Sequence, residues 1–81
     1  MRYRCTATTD IDDLVGRDGT SGFDYGPLAT ALKDREELQL DNSASLSAVT
    51  IAKIRLLVRG LFIVETEETL RAGPGFRLVL H

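Results

Sequence analysis

The sequence predicts an α+β fold: three helices followed by a C-terminal β-hairpin, with a short strand suggested at the N-terminus. Three observations carry this. Residues 46–60 (LSAVTIAKIRLLVRG) form a capped amphipathic segment with helical spacing. Residues 62–66 and 75–80 are both rich in strand formers and flank a polar stretch that closes on Gly73-Pro74-Gly75, a turn signal. The opening nine residues alternate, with Tyr3, Cys5 and Ala7 on one side and Arg2, Arg4, Thr6 and Thr8 on the other.

Taken in order, residues 10–15 (DIDDLV) read as one helical turn started by Asp10. Residues 16–26 (GRDGTSGFDYG) read as loop, because four glycines fall within eleven positions. No lysine follows any of these glycines, so they lack the pattern of a phosphate-binding loop. Asp10, Asp12 and Asp13 miss the ligand spacing of a calcium loop, since Leu14 and Val15 stand at its fifth and sixth positions. Pro27 suits the first position of a helix, and Leu28, Ala31 and Leu32 recur at i, i+3 and i+4. Asp34 with Glu37 reads as a capping box. Either one helix runs from about 27 to 39, or a short one ends near Lys33 and a second begins at Arg35.

After a polar break at 41–45, Leu46, Thr50, Ile51, Ile54, Leu57, Val58 and Leu61 share one broad face of the third helix. Ser45 or Ser47 caps its start, Arg55 and Arg59 suit its negative C-terminal end, and Gly60 supplies a left-handed stop. Residues 62–66 then pair antiparallel with 75–80, with Phe62 and Phe76 packing as core across the hairpin and residues 67–74 forming the loop.

An 81-residue chain that is 43% hydrophobic and 27% charged reads as one ordinary globular domain. One His and one Cys leave no metal set and no nucleophile–base pair, so no enzyme, cofactor or metal is expected. With no long apolar run, no basic leader and a single Cys5, the expected setting is cytoplasmic, away from any membrane. Charge divides unevenly: residues 1–42 carry five Lys/Arg against nine Asp/Glu, and residues 43–81 carry five against three. That split is compatible with nucleic acid on the C-terminal half, although the net charge of −2 is not that of a strongly basic domain.

Two stretches carry a family resemblance. In 46–65, Ser47, Thr50-Ile51, Ile54, Leu57 and Arg59-Gly60-Leu61 resemble the recognition helix and first wing strand of small prokaryotic winged helix-turn-helix regulators. In 70–80, Arg71, Gly73, Gly75, Phe76, Arg77 and Leu78 are similar to the wing ending of response-regulator output domains. The resemblance implies a winged helix-turn-helix over residues 27–81, with residues 1–26 (an N-terminal strand and the Gly-rich loop) packed on it. It implies a DNA-binding transcription regulator, dimeric, with helix 46–60 in the major groove of double-stranded DNA. Ser45, Ser47, Ala48 and Thr50 would then meet base edges, Lys53 and Arg55 phosphate, and Arg71 the backbone at the wing tip.

Two features favour another reading. Glu65, Glu67 and Glu68 put three carboxylates on the hairpin, where they repel phosphate. Val49 and Leu56 fall on the outward side of the third helix, where they suit a protein partner or a second copy of the chain. The alternative is therefore a protein-interaction module, an adaptor or inhibitor, on the same fold.

Overall fold

The computed structural model covers residues 1–81 and shows a mixed α+β architecture with three α-helices and seven short strands. Strand β1 (Arg2–Arg4) is followed by helix α1 (Ile11–Val15), a hairpin of β2 (Gly16–Gly19) and β3 (Gly22–Tyr25), helix α2 (Pro27–Asp34) and strand β4 (Glu37–Asp41). A single 3-10 turn (Ser43–Ser45), helix α3 (Ala48–Leu57), a second hairpin of β5 (Leu61–Ile63) and β6 (Glu68–Leu70), and strand β7 (Arg77–Leu80) complete the chain.

The organising element is a three-stranded, wholly parallel sheet in the order β1-β4-β7. Its central strand is β4, which begins at Glu37 in a stretch, Asp34 to Glu37, that looks helical in sequence. Helix α2 instead stops at Asp34, and Arg35 takes the left-handed conformation (φ 56°) with its N–H on the Ala31 carbonyl. Residues 37–41 (ELQLD) then alternate, turning Leu38 and Leu40 fully into the core. The capping box expected at Asp34 does not form, because the chain reverses there to feed the strand.

Both crossovers, β1 to β4 and β4 to β7, step the same way across the sheet. Right-handed connections that advance in one direction stack on one face. The burial pattern agrees: Tyr3, Leu38, Leu40, Leu78 and Leu80 share the covered face, while Arg2, Arg4, Gln39, Asp41 and Arg77 share the other. On the covered face, Leu28, Ala29, Ala31 and Leu32 of α2, Leu14 of α1, Ile54 of α3, and Leu61 and Ile63 of β5 close the core together with Cys5 and Leu46. The bare face is tied polar to polar, by Arg2 Nε to Asp41 Oδ2 at 2.7 Å and His81 Nε2 to Gln39 Oε1 at 3.0 Å.

Local chemistry accounts for the ends of the helices. Asp10 caps α1 by accepting from the Asp13 N–H while Asp13 accepts from the Asp10 N–H, a reciprocal capping box. Pro27 opens α2 with Gly26 before it. A Cβ on Gly26 would lie 2.4 Å from the Leu14 carbonyl oxygen, so glycine is what lets the start of α2 press against the end of α1.

Several sequence expectations are corrected. Residues 16–26 are not an open loop; they contain the β2–β3 hairpin, which pairs Arg17 with Asp24 and Asp18 with Phe23. Glycines supply the bend, with Gly16 at φ 122° and Gly22 at φ 134°. The hairpin after α3 does not join 62–66 to 75–80. Leu61–Ile63 pairs with Glu68–Leu70, inside the expected loop, and Arg77–Leu80 leaves to run parallel to β4. Phe62 is therefore not core. It lies on the outer side of β5, 58% exposed, while only Phe76 packs against the core.

Candidate interaction face on helix α3

Helix α3 begins two residues later than the expected 46, and of the two serines that could cap it, Ser47 is the one used. The Ser47 hydroxyl accepts from the Thr50 N–H at 3.1 Å and shares a 2.9 Å hydrogen bond with the Thr50 hydroxyl. Its end differs from expectation. Gly60 does not have positive φ, so it is no left-handed stop. The last turn instead tightens, with Arg59 N–H on the Leu56 carbonyl and Gly60 N–H on the Leu57 carbonyl. The Ala72 N–H then bonds the Val58 carbonyl at 3.0 Å and ties the end of the second hairpin to the end of α3.

The helix is apolar on two sides. Ile51, Ile54 and Leu57 turn inward, and Ile54 is fully buried. Val49 and Leu56 turn outward at 64% and 65% exposure, with Ala52 exposed between them. A helix that carries apolar residues beyond its core-facing stripe is characteristic of one covered by something further.

Cations surround this outward strip. Lys53, Arg55 and Arg59 are all exposed, and no Asp or Glu lies anywhere from Ser47 to Gly60. None of the three, nor Arg71, forms an ion pair; the ion pairs are Arg2–Asp41, Arg17–Asp13 and Lys33–Glu68. Two shallow depressions flank Leu56. One, of about 230 Å³, is lined by Ile11, Lys53, Leu56 and Leu57. The other is a groove of about 710 Å³ between α3 and β7, lined by Ala52, Arg55, Leu56, Val58, Arg59 and Leu78.

The residues singled out in sequence divide into two sets. Ala48, Val49, Lys53, Arg55 and Leu56 are exposed on α3. Arg71 is exposed just after β6, near Gly60. The hydroxyls are occupied elsewhere: Ser45 donates to the Asn42 carbonyl at 2.8 Å, Ser47 caps the helix, and Thr50 is half-buried against Ser47. Ile11, Val58 and Leu78 were not expected at this surface. Helical period places Val58 on the core-facing strip, and Leu78 arrives only through the parallel pairing of β7, which no local pattern announces.

Of the three hairpin carboxylates, Glu68 is neutralised within the fold. The Tyr25 hydroxyl donates to Glu68 Oε1, and Lys33 Nζ lies 3.8 Å from Glu68 Oε2 and 4.4 Å from the Tyr25 ring centroid. The Tyr25 hydrogen bond, helped by the Lys33 charge, holds the Glu68 carboxyl below the usual carboxylate range. The Tyr25 oxygen and then the Glu68 carboxylate raise Lys33. This cluster staples β3, α2 and β6 together. Glu65 and Glu67 stay exposed at the hairpin tip.

No protein-family model, curated protein or solved structure matches the chain. No helix is long and apolar enough to cross a membrane.

Proposed function

We propose that this protein is an interaction module that docks another protein through the outer face of α3. The observation that carries the reading is the composition of that face: Val49, Ala52 and Leu56 exposed in a line, edged by Lys53, Arg55 and Arg59 without acidic partners. Interfaces place apolar anchors at the centre and charge at the rim, and unpaired arginines at a rim select acidic partners. Val49→Glu and Leu56→Glu break the apolar line while leaving the core untouched. The test is affinity capture with the full chain followed by identification of the bound protein. A defined protein held by the wild type and lost by both variants supports the reading, and a bound set indifferent to both variants overturns it.

A second reading keeps a specific observation of its own: Lys53, Arg55, Arg59 and Arg71 are all exposed cations without carboxylate partners. On that reading α2, the 3-10 turn and α3 act as a winged helix-turn-helix with β5–β6 as its wing, and a dimeric regulator binds double-stranded DNA. Against it stand the apolar middle of the α3 face, the committed hydroxyls of Ser45 and Ser47, and an overall charge of −2. Selection from random duplexes at low salt distinguishes the two. Enrichment of a motif, with affinity that falls steeply with salt and drops for Lys53→Gln, favours DNA.

A further inference from the structure

The two ends of the parallel sheet are built differently. Strand β1 is guarded, with Arg2 and Arg4 flanking Tyr3, and charged residues on an edge strand discourage further pairing. Strand β7 at the opposite edge reads Arg-Leu-Val-Leu, with one charge, no proline and a regular register against β4 from Arg77 to Leu80. Its free edge follows from strand geometry. The His81 N–H donates to the Leu40 carbonyl, and backbone groups alternate sides along a strand. Val79 and Arg77 therefore direct their N–H and C=O toward β4, and Leu78 and Leu80 direct theirs away from it. Neither Leu78 nor Leu80 takes part in a backbone hydrogen bond outside the regular elements.

Beside this edge runs the 710 Å³ groove whose wall is α3, with Leu56, Val58 and Leu78 offering apolar surface and Arg55 and Arg59 offering unpaired charge. Resting on the interaction-module reading, the geometry points to an extended acidic peptide as the occupant: a segment that adds to β7 as a fourth strand and fills the groove against α3. Edge addition takes affinity from main-chain bonds and specificity from alternate side chains. Here the alternate side chains turn toward α3. One must be apolar, to sit against Leu56, Val58 and Leu78. Its neighbour two positions along must be a carboxylate, to meet Arg55 or Arg59. Charge complementarity selects an acidic segment over a basic one, and the apolar lining with the free strand edge selects a peptide over duplex DNA, whose backbone leaves the apolar part of the groove unfilled and cannot extend a sheet.

The probe is the octapeptide Val-Thr-Glu-Thr-Val-Thr-Glu-Thr, which sets valine and glutamate two positions apart on one face, acetylated and amidated, titrated into the full chain and followed by amide NMR. Two control peptides carry lysine for glutamate, or N-methyl groups on the amides that would face β7. Binding with slowed exchange at the Leu78 and Leu80 amides supports the proposal. So does an affinity loss of at least about tenfold for Arg55→Glu with Arg59→Glu, for the lysine peptide and for the N-methyl peptide. Absence of binding, or binding indifferent to N-methylation, overturns it. Self-association that protects the same two amides without peptide overturns it in favour of a second copy as the occupant. Val49 lies outside the groove, so its glutamate variant separates the two ideas. If Val49→Glu abolishes capture of a protein partner while the peptide never binds, the docking face stands and the strand-addition site falls.

Discussion

Leu40→Ala tests the central placement of β4. Leu40 is fully buried, opposite Tyr3 on one side and Leu80 on the other. Removing a buried leucine side chain costs about 2–5 kcal/mol, including the cavity left behind. A chain of this length is stable by only about 4–12 kcal/mol at the usual allowance per residue. At about 3 kcal/mol lost, the midpoint of thermal unfolding falls by roughly 12–24 °C for a domain of this size. The matched reference is Leu56→Ala, the same substitution on a side chain that is 65% exposed, which stays within about 0.5 kcal/mol of wild type. Urea and thermal unfolding followed by far-ultraviolet circular dichroism measure both. A loss under about 1 kcal/mol for Leu40→Ala, or equal losses for the two variants, refutes the argument. In that case residues 37–41 are not the middle of the sheet, and the groove beside β7 loses its foundation.

Three further outcomes are expected. Gly75 has φ 95° and a Cβ there would meet the Arg35 carbonyl oxygen at 2.5 Å, so Gly75→Ala costs about 2 kcal/mol, whereas Gly60→Ala, with its nearest atom at 4.0 Å, is close to neutral; denaturant titration of the two separates a required glycine from an incidental one. Cys5 is fully buried, and burial, then the Asp41 charge, pushes its thiol up, so thiol reagents at neutral pH label it only as fast as the fold opens, and rapid labelling of native protein contradicts the packing. Glu68 has a lowered folded pKa, so its contribution is present above the unfolded carboxylate range and fades as pH falls through the folded value. Lys33 has a raised one, so its contribution is present below the unfolded ammonium range and fades as pH rises through the folded value. Lys33 is exposed and Glu68 half-buried, and the effects are small; Glu68→Gln flattens the acid limb of midpoint against pH, and an unchanged limb refutes the role given to Tyr25 and Lys33.

What was legible in sequence was what local chemistry encodes. Asp10 as the cap of α1, Pro27 at the start of α2 and a serine, Ser45 or Ser47, as the cap of α3 are each readable because a helix end needs a particular side chain at a particular offset. The outward placement of Val49 and Leu56 follows from helical period alone. Strand β4 was obscured because Glu, Leu and Gln favour helices, and that preference outweighed an alternation only five residues long. The outward turn of Phe62 is hidden because residues 61–64 are all apolar, so the pattern holds no clue to which face is inward. The pairing of β7 with β4 rather than with 62–66 is a tertiary choice. Parallel strands are joined through long crossovers, and nothing near either strand marks its partner.

That choice governs how the molecule assembles. Leu38 finds Leu78 and Gln39 finds Arg2, so the middle of the sheet draws its neighbours from opposite ends of the chain. Closing such distant loops comes at an entropic cost before any core contact repays it, and chains of this kind fold slowly for their size. The sheet is complete only once β7 has joined β4, whose side away from β1 otherwise has no neighbouring strand.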